Sequence, residues 1–185
     1  MKEYVRCKSC GFIMEKGKLH GKCPACGVGE KMFEPYSEKI SPMRKFVLSL
    51  DIHPVMVHFP QAFTAAVLLM SLVATVLHGA VRDNVAATVM VLGALLPVTV
   101  ALAFCAGLLD GKIRFRRVTT PILVKKMTVA AVFFVLSCGI AAVVLSRPLT
   151  GGMLLLVAAL SACALAAASY LAVLGVSLLN AKFPG

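Results

Sequence analysis

Residues 153–179 read MLLLVAALSACALAAASYLAVLGVSLL, 27 consecutive positions without a charged side chain. A helix needs about 20 predominantly apolar residues to cross the hydrocarbon core of a bilayer, so this stretch alone predicts a membrane-spanning segment. Three earlier stretches meet the same requirement, at about residues 55–77, 85–109 and 127–145, the last with a start as early as Pro121. Each is bounded by charge or by helix breakers: Asp51 and Pro54, Arg82-Asp83-Asn84, Asp110-Gly111-Lys112, Arg147-Pro148, and Asn180 with Lys182. The expected fold is therefore an all-α integral membrane four-helix bundle. Small residues within the spans, Gly93, Pro97, Ala103 and Gly107 in the second and Ser161, Ala162, Ala166, Ala167, Ser169 and Gly175 in the fourth, suit close helix packing, because lipid offers no hydrophobic drive between helices.

The rest of the chain is different in kind. Hydrophobic residues make up 59% of the 185 positions and the mean hydropathy is +0.90, above an ordinary soluble domain. Yet residues 1–51 hold sixteen of the 27 charged side chains. The division that follows is a small N-terminal module over 1–36, an interfacial linker over 37–51 and the transmembrane domain over 52–185. In the linker, Arg44-Lys45 ahead of Phe46-Val47-Leu48 suits a segment lying on an anionic leaflet.

The formal net charge of +11 does not point to nucleic acid, because the cations cluster beside apolar segments. Six of them, Lys112, Arg114, Arg116, Arg117, Lys125 and Lys126, crowd the connection between the second and third spans, whereas each of the other two connections holds one Arg. Positive charge marks the cytoplasmic side, and with four spans both termini belong there too. Met1-Lys2-Glu3-Tyr4 leads into the module without an apolar signal segment, which gives the same side independently. The expected location is the inner (cytoplasmic) membrane, with lipid as the first partner.

The module contains Cys7-x2-Cys10, twelve intervening residues, then Cys23-x2-Cys26. Paired C-x-x-C motifs in a reducing compartment indicate metal rather than disulfide. Two such turns present four thiolates to one tetrahedral ion, a geometry that suits iron and zinc alike. About 35 residues cannot bury a sufficient core, so metal binding contributes much of the folding free energy; Tyr4, Phe12, Ile13 and Phe33 are the expected packing partners. Cys105, Cys138 and Cys163 each stand alone in a span and read as small buried apolar residues. His20 reads as an exposed loop residue.

The residues Cys10-Gly11-Phe12-Ile13 and Cys23-Pro24-Ala25-Cys26-Gly27, followed by Phe33-Glu34, resemble the rubredoxin-like domain found at one end of rubrerythrins. The resemblance covers residues 4–36. It implies one iron ligated by Cys7, Cys10, Cys23 and Cys26, cycling between ferric and ferrous states.

The first span opens His53-Pro54-Val55-Met56-Val57-His58-Phe59-Pro60, and the second closes Gly107-Leu108-Leu109-Asp110. This is similar to a family of predicted four-helix membrane proteins marked by an HPxxVHFP signature, over residues 52–180. The resemblance implies architecture rather than an activity. On physical grounds Pro54 suits a first helical turn, with His53 or Asp51 near the cap, and Pro60 is expected to kink the helix. His53 and His58 stand about 140° apart on an ideal helix. Together with Asp110, Arg114, Lys125 and Lys126 they belong to the end of the bundle that carries the module. His53, His58, Asp110 and Lys126 are therefore the candidate cluster for a quinone, for haem or for another redox site. The plainer alternative has the histidines capping helices and pairing with Asp110 while the cations meet lipid phosphates. His78 falls at the opposite face, so two haems stacked across the bilayer find no ligands.

Two functions of different class fit. One is a membrane-anchored electron-transfer protein, an oxidoreductase component whose Fe(Cys)4 centre exchanges electrons with a site at the membrane face or with an acidic soluble redox protein. The other is a zinc-ribbon membrane protein acting as a non-enzymatic interaction or sensing module. No set of nucleophile, base and acid suggests hydrolysis or group transfer, and an ion pathway finds no charge inside the spans.

Overall fold

The computed structural model describes residues 3–36, 46, 49–114 and 119–178. Most of the linker, Arg116 and Arg117 of the basic connection, and Lys182 lie outside the described residues.

The N-terminal module is a three-stranded antiparallel sheet, β1 (Tyr4–Cys7), β2 (Ile13–Glu15) and β3 (Phe33–Pro35), in the order β2-β1-β3. Val5 faces Met14 on one side and Pro35 on the other, and Cys7 faces Phe33. The proline falls at the end of an edge strand, where its missing N–H interrupts no ladder. Period-two alternation on β1 buries Val5 and Cys7 and leaves Tyr4 and Arg6 half-buried. The core holds Val5, Phe12, Met14, Ala25 and three of the cysteines, with Leu19, Val28, Phe33 and Ile122 packed against it. Of the expected packing partners, Phe12 and Phe33 take that role. Ile13 is buried but lies outside this cluster, and Tyr4 is only half-buried.

Four long helices follow: α1 (Ile52–Val76), α2 (Gly79–Arg114), α3 (Pro121–Ser146) and α4 (Gly151–Leu178). All four are long and apolar enough to cross a membrane, with mean hydropathies of 1.7, 2.4, 2.6 and 2.2 over their spanning windows. The helices exceed the apolar runs that predict them. Arg82, Asp83 and Asn84 stand inside α2 rather than ahead of it, and α2 runs through Asp110, Gly111 and Lys112. Lys125 and Lys126 likewise belong to α3. A glycine costs a helix only about 1 kcal/mol, and charges at a helix end reach the head-group region without unwinding it. Asp110 and Lys126 thus lie inside the long helices but near their ends, beyond the apolar runs themselves. Helix α1 passes through Pro60 without interruption.

The described residues fall into two compact units. One comprises residues 54–104 and 129–170. Its interior positions repeat every seven residues on each helix: Pro60, Thr64, Val67, Ser71 and Ala74 on α1; Val89, Leu96, Val100 and Ala103 on α2; Phe133, Ser137, Ile140 and Val144 on α3; Leu154, Val157, Ser161, Ala164 and Ala168 on α4. A seven-residue repeat is the signature of left-handed packing. Four fully buried hydroxyls, Thr64, Ser71, Ser137 and Ser161, sit on this interior, while Leu69, Val76, Val135 and Leu145 are more than 60% exposed. Small and polar residues share the interior with Leu96, Phe133, Ile140 and Leu154, while other large apolar residues face outward, as lipid permits. At Gly93 an added Cβ would lie 3.3 Å from methyls of Ile140 and Val144, so α2 and α3 are closest there. Ser161 and Gly93 act as expected, but Ala162, Ala166 and Ser169 face outward and Ala164 and Ala168 take their place. Cys105, Cys138 and Cys163 are exposed on the helix surfaces rather than buried. Arg82 donates to the Leu149 carbonyl at 2.8 Å, a tie between α2 and the connection joining α3 to α4.

The other unit comprises the module with His53, the end of α2 from residue 105, the start of α3 to residue 128, and α4 from residue 171. Those helix ends flank the basic connection.

Candidate metal centre

Each C-x-x-C-Gly segment folds into the same turn. In the first, the Gly11 N–H donates to the Cys7 carbonyl (2.8 Å) and the Cys7 N–H to the Phe12 carbonyl (2.8 Å). In the second, Gly27 donates to Cys23 (2.9 Å) and Cys23 to Val28 (2.7 Å). Gly11 and Gly27 close the turns at φ +81° and +78°, a region that glycine alone occupies without strain. The Lys22–Gly29 bridge closes the second turn on itself, and the Lys8 N–H donates to the Met32 carbonyl, tying the first turn to the segment that follows the second.

This arrangement brings all four sulfurs within 4.8 Å of one another. Cys7 Sγ and Cys26 Sγ are 3.7 Å apart, and Cys10 Sγ and Cys23 Sγ 3.8 Å apart. A disulfide needs about 2.05 Å, so neither pair is one. A tetrahedron with metal–sulfur distances of about 2.3 Å has edges of roughly 3.75 Å; these two pairs stand at that length, and the remaining sulfur pairs lie within 4.8 Å. Cys7, Cys10 and Cys23 are buried, and Cys26 is the partly exposed member.

The turns also aim backbone N–H groups at the sulfurs: Phe12 at Cys10, Ala25 and Cys26 at Cys23, and Val28 at Cys26. Cys10 and Cys23 stand within hydrogen-bond reach, either sulfur able to donate; the bond between them, with two amides assisting, holds Cys23 at about 5, and the same bond and burial push Cys10 up. Burial also raises Cys26. A site that already stabilises one thiolate is suited to a cation, whose charge would ionise the other three.

The fold and the sulfur geometry define a four-thiolate metal site. Residues 6–34 match the family model described as rubrerythrin, rubredoxin-like domain, and the chain thus carries a rubrerythrin-like rubredoxin domain followed by four potential membrane spans. No curated protein and no solved structure matches the chain.

The second candidate set divides. His53 packs against α2, where a Cβ on Gly107 would lie 2.8 Å from its Cε1 and 3.1 Å from its Nδ1. Asp110 stands one turn further along α2, and its charge acts on Lys126 of α3. A Cβ on Gly175 of α4 would lie 4.0 Å from Lys126 Nζ. These residues all belong to the unit that contains the module. His58 is different. It is exposed, its Nδ1 lies 2.6 Å from the Pro54 carbonyl of its own helix, and it belongs to the other unit. Sequence reasoning names Gly175 only as a small packing residue and misses Ile122, since nothing in a helical pattern marks which face meets the module.

Proposed function

We propose that this protein is a membrane-anchored electron carrier in which Cys7, Cys10, Cys23 and Cys26 hold one iron. The observation that supports the reading is the match of residues 6–34 to the rubredoxin-like domain, with two sulfur pairs already at tetrahedral spacing, in a chain with four helices able to span a membrane. Iron in four thiolates supplies one-electron exchange between ferric and ferrous states with no change of ligands. The chain's own contribution is electrostatic: the amides of Phe12, Ala25, Cys26 and Val28 stabilise negative charge on the sulfurs. Cys26, the partly exposed ligand, is the natural point of exchange. Lys8, Lys22 and Lys31 are exposed around the turns, outside the Lys16–Glu3 and Lys18–Glu15 pairs. They favour docking of an acidic soluble redox protein. The basic connection favours the cytoplasm for its side of the membrane, and the module shares a compact unit with the helix ends flanking that connection.

Metal analysis and optical spectroscopy of the purified full-length protein test this reading. Stoichiometric iron, with visible absorption that bleaches on adding dithionite and returns in air, is expected. Colourless protein with one zinc per chain overturns electron transfer and favours a zinc-ribbon interaction module.

A further inference from the structure

The core of the metal module is not closed by the module's own residues alone. Three of its seven buried members are ligands, Cys7, Cys10 and Cys23, and a side chain from the first turn of α3, Ile122, packs against that core. Around Ile122 the residues Pro121, Val124 and Lys125 are exposed, whereas Ile122 itself is half-buried. Thr120, at the head of the helix, is only 5% exposed. The start of α3 is therefore held along one side. The compact units divide in the same way: α3 groups with the module as far as residue 128, and from residue 129 it groups with the bundle interior.

The surface on which Ile122 rests depends on the ion. A module of about 35 residues buries too little apolar area to hold a fold unaided. With three ligands among its seven core members, its packed surface forms to the extent that a metal gathers the sulfurs. Metal binding and the seating of Ile122 are thereby linked, and such linkage is reciprocal. An ion that favours the seat is itself held more tightly by the seat, by the same factor. Partial burial of one isoleucine side chain makes that factor about five to ten.

We propose that the first two turns of α3 are a built-in reader of metal occupancy: Ile122 seats on the module when Cys7, Cys10, Cys23 and Cys26 hold an ion and is released when they do not. Gain or loss of the metal thus reaches a membrane-spanning helix, while the rest of the bundle keeps its structure. This role goes beyond electron transfer, and iron and zinc serve it alike.

The test uses full-length protein in phosphatidylcholine nanodiscs, zinc-loaded or stripped by a chelator under reductant, with amide hydrogen exchange read by mass spectrometry. Exchange over residues 122–128 is expected to be about tenfold faster without zinc, the mark of local opening. Over residues 151–165 of α4, in the other unit, it is expected to be unchanged. In Ile122→Ala zinc no longer protects residues 122–128. Zinc affinity in that variant, measured by chelator competition, falls about five- to tenfold, although the protein still saturates with one zinc. Val124→Ala, at an exposed position of the same turn, exchanges and binds as the unsubstituted protein does. A single elution peak establishes that each variant is folded; if Ile122→Ala fails that check, Ile122→Val replaces it, with smaller changes in the same direction. Exchange over residues 122–128 that is indifferent to zinc overturns the proposal, as does equal zinc affinity in the folded Ile122 variant and the unsubstituted protein. Equal loosening of all four helices on stripping also overturns it, because the bundle would then collapse as a whole. Because zinc is the probe, failure here leaves the iron reading standing, and a zinc-only native protein leaves this result standing.

Discussion

The imidazole of His53 occupies the space in which residue 107 would carry a side chain. A methyl group at Gly107 would lie 2.8 Å from Cε1, closer than van der Waals contact allows, and 3.1 Å from Nδ1. One glycine therefore lets α1 and α2 meet at a histidine, next to the turn that carries Asp110.

Gly107→Ala is expected to displace that ring and destabilise the helix pair by about 1–3 kcal/mol, the usual cost of overpacking. Thermal unfolding in detergent measures it. In the double variant His53→Ala/Gly107→Ala the clash is gone, so the two effects are expected to be strongly non-additive. Additive losses would show that the contact is not made.

Metal and membrane helices are expected to separate cleanly. The module's core is built largely of its ligands, Cys7, Cys10 and Cys23 beside Val5, Phe12 and Met14, so it has little else to fold around. Cys10→Ser or Cys23→Ser should abolish metal binding and expose residues 3–36 to protease. The helical circular dichroism, carried by α1 to α4, should stay nearly unchanged. A large loss of helical signal would mean that the bundle depends on the module.

The proton count on metal loading follows from the hydrogen bond between Cys10 and Cys23. Cys23 is held at about 5 by that bond and by amides, below an ordinary cysteine. Its contribution to the stability of the metal-free module is therefore present at high pH and lost as pH falls through about 5. To the extent that the metal-free module keeps its fold, zinc binding is expected to release about one proton fewer per metal at pH ~6 than at pH ~4, because Cys23 is already ionised at the higher value; equal counts are expected from a module that unfolds without metal. Titration in weak buffer with a pH indicator reads the difference. An unchanged proton count over that interval, in a metal-free module that stays folded, would show that Cys23 is not the thiolate.

The parts of this structure that sequence makes legible are those where spacing carries chemistry. Cys7-x2-Cys10 and Cys23-x2-Cys26 fix the ligand set because a tetrahedral ion needs two such turns, and Gly11 and Gly27 mark where each turn closes. Long apolar runs make legible the four helices that are long and apolar enough to cross a membrane. Their ends were harder to read, because hydropathy falls off where charge begins, whereas the backbone stays helical through Arg82 to Asn84 and through Asp110 to Lys112. The interior faces were harder still. In lipid, Leu and Val no longer mark the inside, so Ala164 and Ala168 could not be told from Ala162 and Ala166 by composition. The pairing of His53 with Gly107 and of Ile122 with the module rests on tertiary contact alone, which one sequence does not encode visibly.

Ile122 gives the sharpest test of how the module is held. It lies in the first turn of α3 and packs against the core formed by the cysteines, Phe12 and Met14, four residues before Lys126 on the same face. Ile122→Glu would set a carboxylate against that apolar surface, where an unpaired charge is costly. The module is expected to keep its metal, since no ligand is touched, but to lose its seat on α3. In protein spin-labelled at Lys31→Cys and Val124→Cys, with Cys105, Cys138 and Cys163 changed to Ala, the distance distribution should broaden markedly on adding Ile122→Glu. Val124 is exposed, so a label there is tolerated. A distribution unchanged by the glutamate would show that the linker or other contacts, rather than Ile122, hold the module in place.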